Sequence, residues 1–246
     1  MKISIVTVTL NSAATIADTL RSVDAQTYGD IEYLIVDGAS TDETLTTIRA
    51  HARRVSTVVS EPDRGIYEAM NKGARLATGD MIGFLNADDV LASPGAIAAI
   101  AAAAREPTVD AVYGDLLYVT RHDTEHVVRR WRGGEFKLPR LRWGWMPPHP
   151  TFYVRRSQLL SLGGFDASLK IAADYEFMLK FLTRPGIRVK YLDEVLVRMR
   201  SGGASNRSIR ALAQKSREDL LAMRRNRVGG IATLLCKNLR KLPQFV

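Results

Sequence analysis

Apolar residues in the first hundred positions switch between short unbroken runs and helical spacing. Ile3–Leu10 is a β-branched run with the signature of a buried strand. Asn11 and Ser12 then offer capping side chains, and Ile16, Leu20 and Val23 recur at the helical period, so a helix is predicted over Ala14–Ala25. Ile31–Val36 repeats the strand signature and ends at Asp37-Gly38. A helix capped by Thr41 or Asp42 follows to about Ala52, then a short strand over Val55–Val59, a helix over Ile66–Ala77 and a fourth strand over Met81–Leu85. Four alternations of strand and helix predict an α/β fold, a mostly parallel sheet flanked by helices. Right-handed crossovers bring the carboxyl ends of such strands to one edge, where open α/β sheets bind ligands.

Beyond Asp89 the pattern loosens. An Ala-rich helix is predicted over Pro94–Arg105 and strands over Ala111–Val119, Glu125–Trp131, Thr151–Val154 and Val189–Val197. Leu141–Pro150, dense in Trp, Pro and Gly, reads as a structured loop, and Arg156–Leu162 as a helical turn. Ala172–Leu182 reads as a helix with Asp174 in its first turn. Ser201-Gly202-Gly203-Ala204 reads as a loop before a final segment. The chain's 246 residues suit one domain with an appendage. The expected division is a domain over 1–205, in halves 1–105 and 106–205, and a helical basic tail over 206–246.

Charge sharpens that boundary. The net charge is +9, and Asn206–Val246 holds ten Lys or Arg against two acids, so the domain itself is close to neutral. Basic charge confined to a tail without interleaved aromatics argues against nucleic acid as a partner. Ile209, Leu212, Leu220 and Met223, and then Ile231, Leu234, Leu235, Leu239 and Leu242, follow helical spacing among basic residues. Such a tail is expected to dock on an anionic inner-leaflet surface, with a solvated face or a dimer contact as the other uses of the same stripe. A single cysteine, Cys236, excludes an internal disulfide framework and fits a reducing compartment. No apolar run is long enough to span a bilayer, and the N-terminus lacks a signal-peptide cleavage pattern. The expected location is the cytoplasm, peripheral at the inner membrane face.

The predicted sheet edge collects polar residues: Thr9 and Asn11 after the first strand, Asp37 after the second, Glu61 and Asp63 after the third, and Asn86, Asp88 and Asp89 after the fourth. Adjacent carboxylates at the end of an apolar strand disfavour each other's ionisation unless a cation intervenes. Mg²⁺ and Mn²⁺ bridge one or two carboxylates to substrate phosphates, while a helix N-cap would use the same acids without metal. Asp37 at a sharp turn can accept hydrogen bonds from a base or ribose, or simply cap the following helix. Asn71 and Lys72 lie two turns into a helix, facing either the cleft or solvent.

Taken in order, Thr9-Leu10-Asn11, Asp37-Gly38-Ala39-Ser40, Glu61-Pro62-Asp63-Arg64-Gly65-Ile66-Tyr67 and Leu85-Asn86-Ala87-Asp88-Asp89 resemble the family 2 glycosyltransferases. Gly65–Gly73 looks most like the branch that makes colanic acid, other exopolysaccharides and glycolipids. The resemblance implies a GT-A fold and an inverting transfer of a sugar from a nucleoside-diphosphate sugar, UDP by default, to a glycan or lipid-linked acceptor. It implies that Thr9, Asn11, Asp37 and Asp63 surround the base and ribose, with Lys72 close by. Asp88 would bind a divalent metal, Mn²⁺ or Mg²⁺, with Asp89 supporting it. Asn86 stands where the family usually has an acid; its amide adds no charge but would still hydrogen-bond the donor's ribose or a metal-bound water. Gly163-Gly164-Phe165-Asp166 followed by Ala172-Ala173-Asp174-Tyr175-Glu176 implies that Asp174 is the catalytic base, although a first-turn acid also suits a helix dipole. His149 would line the acceptor site or approach the metal, or serve as a structural histidine. Arg198 or Arg200 would contact the diphosphate, in a region where many relatives have a histidine ligand.

Two other classes compete. A nucleotidyltransferase would need a glycine-rich basic loop after the first strand, where this chain has Leu10-Asn11-Ser12-Ala13-Ala14. A non-catalytic nucleotide- or polyanion-binding module is the other, and loss of donor hydrolysis or transfer in a folded Asp88→Ala variant would separate catalysis from binding.

Overall fold

The computed structural model describes residues 1–202 and 209–240. Gly203, Ala204 and Leu242 lie outside the described residues. Strands β1 (Ile3–Thr9), β2 (Ile31–Asp37), β3 (Val55–Ser60) and β4 (Met81–Phe84) pair in parallel in the order β3-β2-β1-β4. Ile3 and Ile5 of β1 and Tyr33 and Ile35 of β2 pack on one face, and Val6, Val8, Leu34 and Val36 on the other. This is the two-residue period of strands covered on both sides, which explains why the runs are apolar throughout. Helix α1 (Ile16–Asp24) and helix α2 (Thr44–His51) cover the first face through Ile16, Leu20, Val23 and Ile48. Helix α3 (Ile66–Leu76) covers the second through Tyr67, Met70 and Ala74.

The sheet continues through β5 (Val90–Leu91), β6 (Ala111–Val119), β7 (Val127–Trp131), β8 (Tyr153–Arg155) and β9 (Val189–Arg200). Its full order is β3-β2-β1-β4-β8-β6-β9-β5, with β7 on the outside of β6. The parallel character holds for β1–β4 and for β6 with β9, whereas β8 runs antiparallel to both β4 and β6. Helix α4 (Ala96–Ala104) joins the first face, and α5 (Arg156–Ser161) and α6 (Ala173–Leu182) the second. Two differences from the sequence reading have one cause. β5 was not predicted, and β9 runs three residues past Val197, because both are made by long-range pairing: Val90 with Arg198, and Val119 with Arg200.

The final segment forms α7 (Ile209–Arg225) and α8 (Ile231–Leu239), which fold back onto the second face. Ala222, Met223 and Val228 enter the same core as Phe177 and Phe181 of α6. The predicted apolar face of α7 is therefore divided: Met223 is buried, while Leu212 is 56% exposed. A buried ion pair pins α8. Lys237 Nζ lies 2.8 Å from Asp219 of α7 and 3.2 Å from the centre of the Tyr175 ring of α6. Among the described residues no helix is long and apolar enough to cross a membrane.

Candidate active site

Parallel register brings the first three strand ends together. Thr9 pairs with Asp37, and Asp37 with Ser60. Beyond the strands, Gly38 N–H donates to Thr9 O at 2.9 Å and Glu61 N–H to Asp37 O at 3.0 Å. Asp37 was expected to face a base or ribose. Its carboxylate is instead fully buried, accepting Ser40 N–H at 3.0 Å and the hydroxyls of Ser40 and Ser60, the latter at 2.6 Å. A carboxylate shut away from water must find its donors within the chain, and these are the nearest. Asp37 thus shapes the loop above the edge. Asn11 grips the same loop: its N–H donates to Ser40 Oγ at 2.8 Å, and its side-chain oxygen accepts Thr41 N–H at 2.9 Å.

Asp63 closes over this turn. One carboxylate oxygen accepts Gly65 N–H at 2.8 Å, and the other lies only 2.7 Å from where a Cβ on Gly38 would stand. Any larger residue at position 38 would displace Asp63, which explains the Asp37-Gly38 pair. Lys72 is paired with Glu61 at 2.6 Å on the same rim. The Thr9 hydroxyl is buried and has no partner among the described residues. An unpaired buried hydroxyl at a ligand edge is a group that a bound molecule can satisfy.

β4 delivers the Asn86–Asp89 turn beside them, since Leu85 N–H continues the pairing with Val6 O. Helix α1 holds the turn from behind: Thr15 Oγ1 donates to Ala87 O at 2.9 Å and Thr19 Oγ1 to Asp89 O at 2.7 Å. Asp89, expected with Asp88 at the metal, is fully buried, its oxygens accepting Asn86 Nδ2 at 3.1 Å and Arg200 N–H at 3.1 Å. Burial, with the Asp88 charge adding, pushes its pKa well above the carboxylate range. Asp89 therefore orders the turn. Asp88 is half-buried, the more accessible of the two acids in this turn. Among the described residues no three His, Cys, Asp or Glu side chains gather as a metal-binding group. The half-buried Asp88 carboxylate is a hard oxygen donor of the kind that would suit a cation shared with substrate phosphates and water.

The arginines expected on the diphosphate are engaged elsewhere. Arg200 is buried; its guanidinium donates to Asp88 O at 2.7 Å and Arg121 O at 3.0 Å and pairs with Asp18. Arg198 pairs with Glu125 and donates to Thr124 O at 3.2 Å. Both line a cavity of about 360 Å³ on the α1 side, shared with Asp18, Arg21 and His122. Pairing of β9 with β6 and β5 turns these side chains that way, and spacing along the chain carries no trace of it. Through the Asp88 carbonyl, Arg200 steadies the acidic turn rather than reaching a phosphate.

Asp174 stands in the first turn of α6, its side chain 19% exposed. One carboxylate oxygen lies 2.9 Å from the Tyr67 hydroxyl and the other 3.2 Å from His149 Nδ1. His149 thus meets the candidate base rather than the acidic turn. Burial lowers the His149 pKa, Asp174 opposes that, and Lys215 and Lys237 add to it, so the imidazole is neutral at pH 7. Tyr67 was not singled out from the sequence. Its hydroxyl also lies 2.7 Å from Ile171 O, and four residues further on the same face of α3 Asn71 grips the next loop. The Asn71 side chain donates to Phe165 O at 2.7 Å and accepts Phe165 N–H at 2.8 Å. Gly164, at φ +71°, leaves room for it, because a Cβ there would lie 2.3 Å from Asn71 Oδ1. Burial raises the pKa of Tyr118 on β6, Arg129 opposes, and Asp89 and Asp174 both add to the rise.

Residues 4–171 match the family model described as glycosyl transferase family 2. The chain belongs to glycosyltransferase family 2. This glycosyltransferase is 35% identical over 209 residues to a PGL/p-HBAD biosynthesis glycosyltransferase of Mycobacterium tuberculosis, covering 82% of this chain and 78% of that one. An uncharacterized glycosyltransferase of Haemophilus influenzae is 25% identical over 199 residues, covering 79% and 66%. The glycosyltransferase superposes on S. aureus TarS 1-349 in complex with UDP-GlcNAc with a TM-score of 0.70 at 20% identity, covering 93% of this chain and 66% of that one. It superposes on the mannosyltransferase PcManGT of Pyrobaculum calidifontis, in complex with GDP-Man and Mn²⁺, with a TM-score of 0.68 at 22% identity, covering 96% and 68%. These likenesses show the GT-A fold, and the family match leaves the nucleotidyltransferase alternative without support.

Proposed function

We propose that this glycosyltransferase moves a sugar, with inversion, from a nucleoside-diphosphate sugar to a hydroxyl of a glycan or lipid-linked acceptor, with UDP as the default nucleotide. The observation that carries the reading is Asp174, a partly exposed carboxylate held between Tyr67 and His149. Thr9, Asn11, Asp63 and Lys72 take the nucleoside, with Asp37 acting through the loop it ties. Asp174 takes the acceptor's proton as that oxygen bonds to the anomeric carbon and the nucleoside diphosphate departs with the electron pair of the broken bond. Asp88 would hold Mn²⁺ or Mg²⁺, which when bound would supply positive charge against the departing diphosphate. The test is a thermal-shift titration with UDP, with and without Mn²⁺. UDP at about 100 times its Kd is expected to raise Tm by roughly 5–10 °C in the parent with Mn²⁺. Most of that rise should vanish without the metal or in Asp88→Asn. A shift indifferent to both would refute the metal site.

The tail is proposed to dock on an anionic membrane surface through α8. Ile231, Leu235 and Leu239 form one outward stripe of α8, each close to 60% exposed. α8 packs against the 3-10 turn Leu138–Trp143, whose Trp143 is 65% exposed. Arg142 and Arg240 are exposed on the same two elements. An apolar stripe with an aromatic and flanking cations suits an anionic bilayer surface, where a lipid-linked acceptor would be met. In flotation with phosphatidylglycerol vesicles, Trp143→Ala with Leu235→Ser should lower binding about tenfold or more, since each buried side chain contributes about 1.5–3 kcal/mol. Unaltered flotation would reject the surface.

A further inference from the structure

Glu218 lies on α7, in the segment that reads from sequence as an appendage, yet its side chain is buried against the entrance to α6. One oxygen accepts Lys170 N–H at 3.1 Å and the Gln214 amide at 3.0 Å. The other accepts Ile171 N–H at 2.8 Å and Ala172 N–H at 3.0 Å. Burial acts to raise its pKa, and these bonds outweigh it, holding Glu218 below the usual range and ionised at neutral pH. α6 has no capping side chain of its own. The first N–H groups of a helix need partners, and a negative charge suits that end of its dipole. Here Glu218, more than forty residues further along the chain, takes the N–H of the N-cap residue Ala172, and with it those of Lys170 and Ile171 in the segment leading into the helix.

The segment so held is the one that carries Asp174. Ile171 is fixed from two sides: its N–H by Glu218, and its carbonyl by the Tyr67 hydroxyl that also lies on Asp174. α7 continues the grip, since Asp219 pairs with Lys237, whose ammonium sits over the ring of Tyr175, the neighbour of Asp174. Two adjacent acids of the tail thus brace both sides of the first turn of α6.

We infer that Glu218 is a positioning residue for sugar transfer, setting the place of the Asp174 carboxylate through the backbone of residues 170–172. The inference rests on the reading of Asp174 as the base. It also gives the tail a part in turnover separate from any membrane contact. A reacting group displaced by about 1 Å can lose about 10²-fold in rate, so a loosened 170–172 segment should act on kcat. Nucleotide affinity should be spared, because Glu218 bonds residues 170–172 and Gln214 and none of Thr9, Asn11, Asp63 or Lys72.

The experiment compares Glu218→Ala, Glu218→Gln and Asp174→Asn in the full chain. Each is read for fold by circular dichroism, for UDP affinity by calorimetry with Mn²⁺ and for kcat and KM with the nucleotide sugar that titrates the parent. Glu218→Gln keeps the shape but offers one acceptor oxygen where there were two, so kcat should fall about tenfold and Glu218→Ala about 10²-fold, with UDP affinity within about twofold of the parent. Where Glu218→Ala does not fold, the Gln variant decides. A folded Glu218→Gln with parental kcat, beside an inactive Asp174→Asn, would overturn the positioning role alone. Parallel losses of kcat and UDP affinity in Glu218→Gln would also overturn it, as the mark of general loosening. Full turnover in Asp174→Asn would overturn both readings together.

Discussion

Asp174→Asn is expected to lower kcat by about 10²–10⁴-fold, the usual contribution of a positioned general base. The amide matches the carboxylate in shape, so the Tyr67 hydroxyl at 2.9 Å can still donate to its oxygen, and the first turn of α6 keeps its place. What is lost is a site that can take a proton. UDP affinity should stay close to that of the parent, because the side chains Asp174 meets are Tyr67 and His149 and none of Thr9, Asn11, Asp63 or Lys72. Steady-state rates set beside calorimetric UDP binding check this directly. A variant that keeps a tenth or more of parental turnover, or one that loses UDP binding in step with rate, would remove Asp174 from the chemistry. His149 adds a second expectation of smaller size. A neutral imidazole 3.2 Å from the base orients it without neutralising it, so His149→Ala should disturb turnover less than Asp174→Asn does.

The largest stability effect is expected at Lys237. Its ammonium and the Asp219 carboxylate are both almost fully buried and 2.8 Å apart, with the ammonium over the Tyr175 ring. Replacing Lys237 with methionine leaves Asp219 as an uncompensated buried charge, which costs about 3–5 kcal/mol. For a chain of this size that corresponds to a fall in Tm on the order of 10 °C. Removing both charges, as Lys237→Met with Asp219→Leu, should recover most of the loss, because a well-packed apolar pair often matches a buried ion pair. Thermal unfolding of the two variants separates these outcomes. A single variant as stable as the parent would mean that water reaches the pair and that α8 is held by apolar contacts alone.

The donor half was legible from the residues because its signals are local. Ile3–Leu10, Ile31–Val36, Val55–Val59 and Met81–Leu85 announce strands by composition, and each is followed by polar residues at the place where crossover geometry puts a ligand edge. Helix limits came within two or three residues for α1, α2, α3 and α6. The acids were legible as a set, but their individual states were not. Asp37, Asp88 and Asp89 look alike as letters. Only packing buries Asp37 among Ser40 and Ser60, shuts Asp89 beneath Asn86 and Arg200, and leaves Asp88 half-open.

The tail shows the limit most sharply. Helical period and basic charge marked a helical basic tail, and its described residues form α7 and α8. Period alone cannot say which of two apolar stripes meets protein and which meets the outside, because both obey the same spacing. The fold turned Met223 inward, left Leu235 outward, and placed Glu218 and Asp219, the only acids among ten basic residues, against α6. Sequence by itself determined the alternating elements, the family and the edge where chemistry gathers, since those follow from local apolar period and short motifs. Tertiary structure decided which carboxylate is exposed, which arginine is occupied and what Tyr67 and Glu218 hold, since burial and long-range pairing set the partners of a charge.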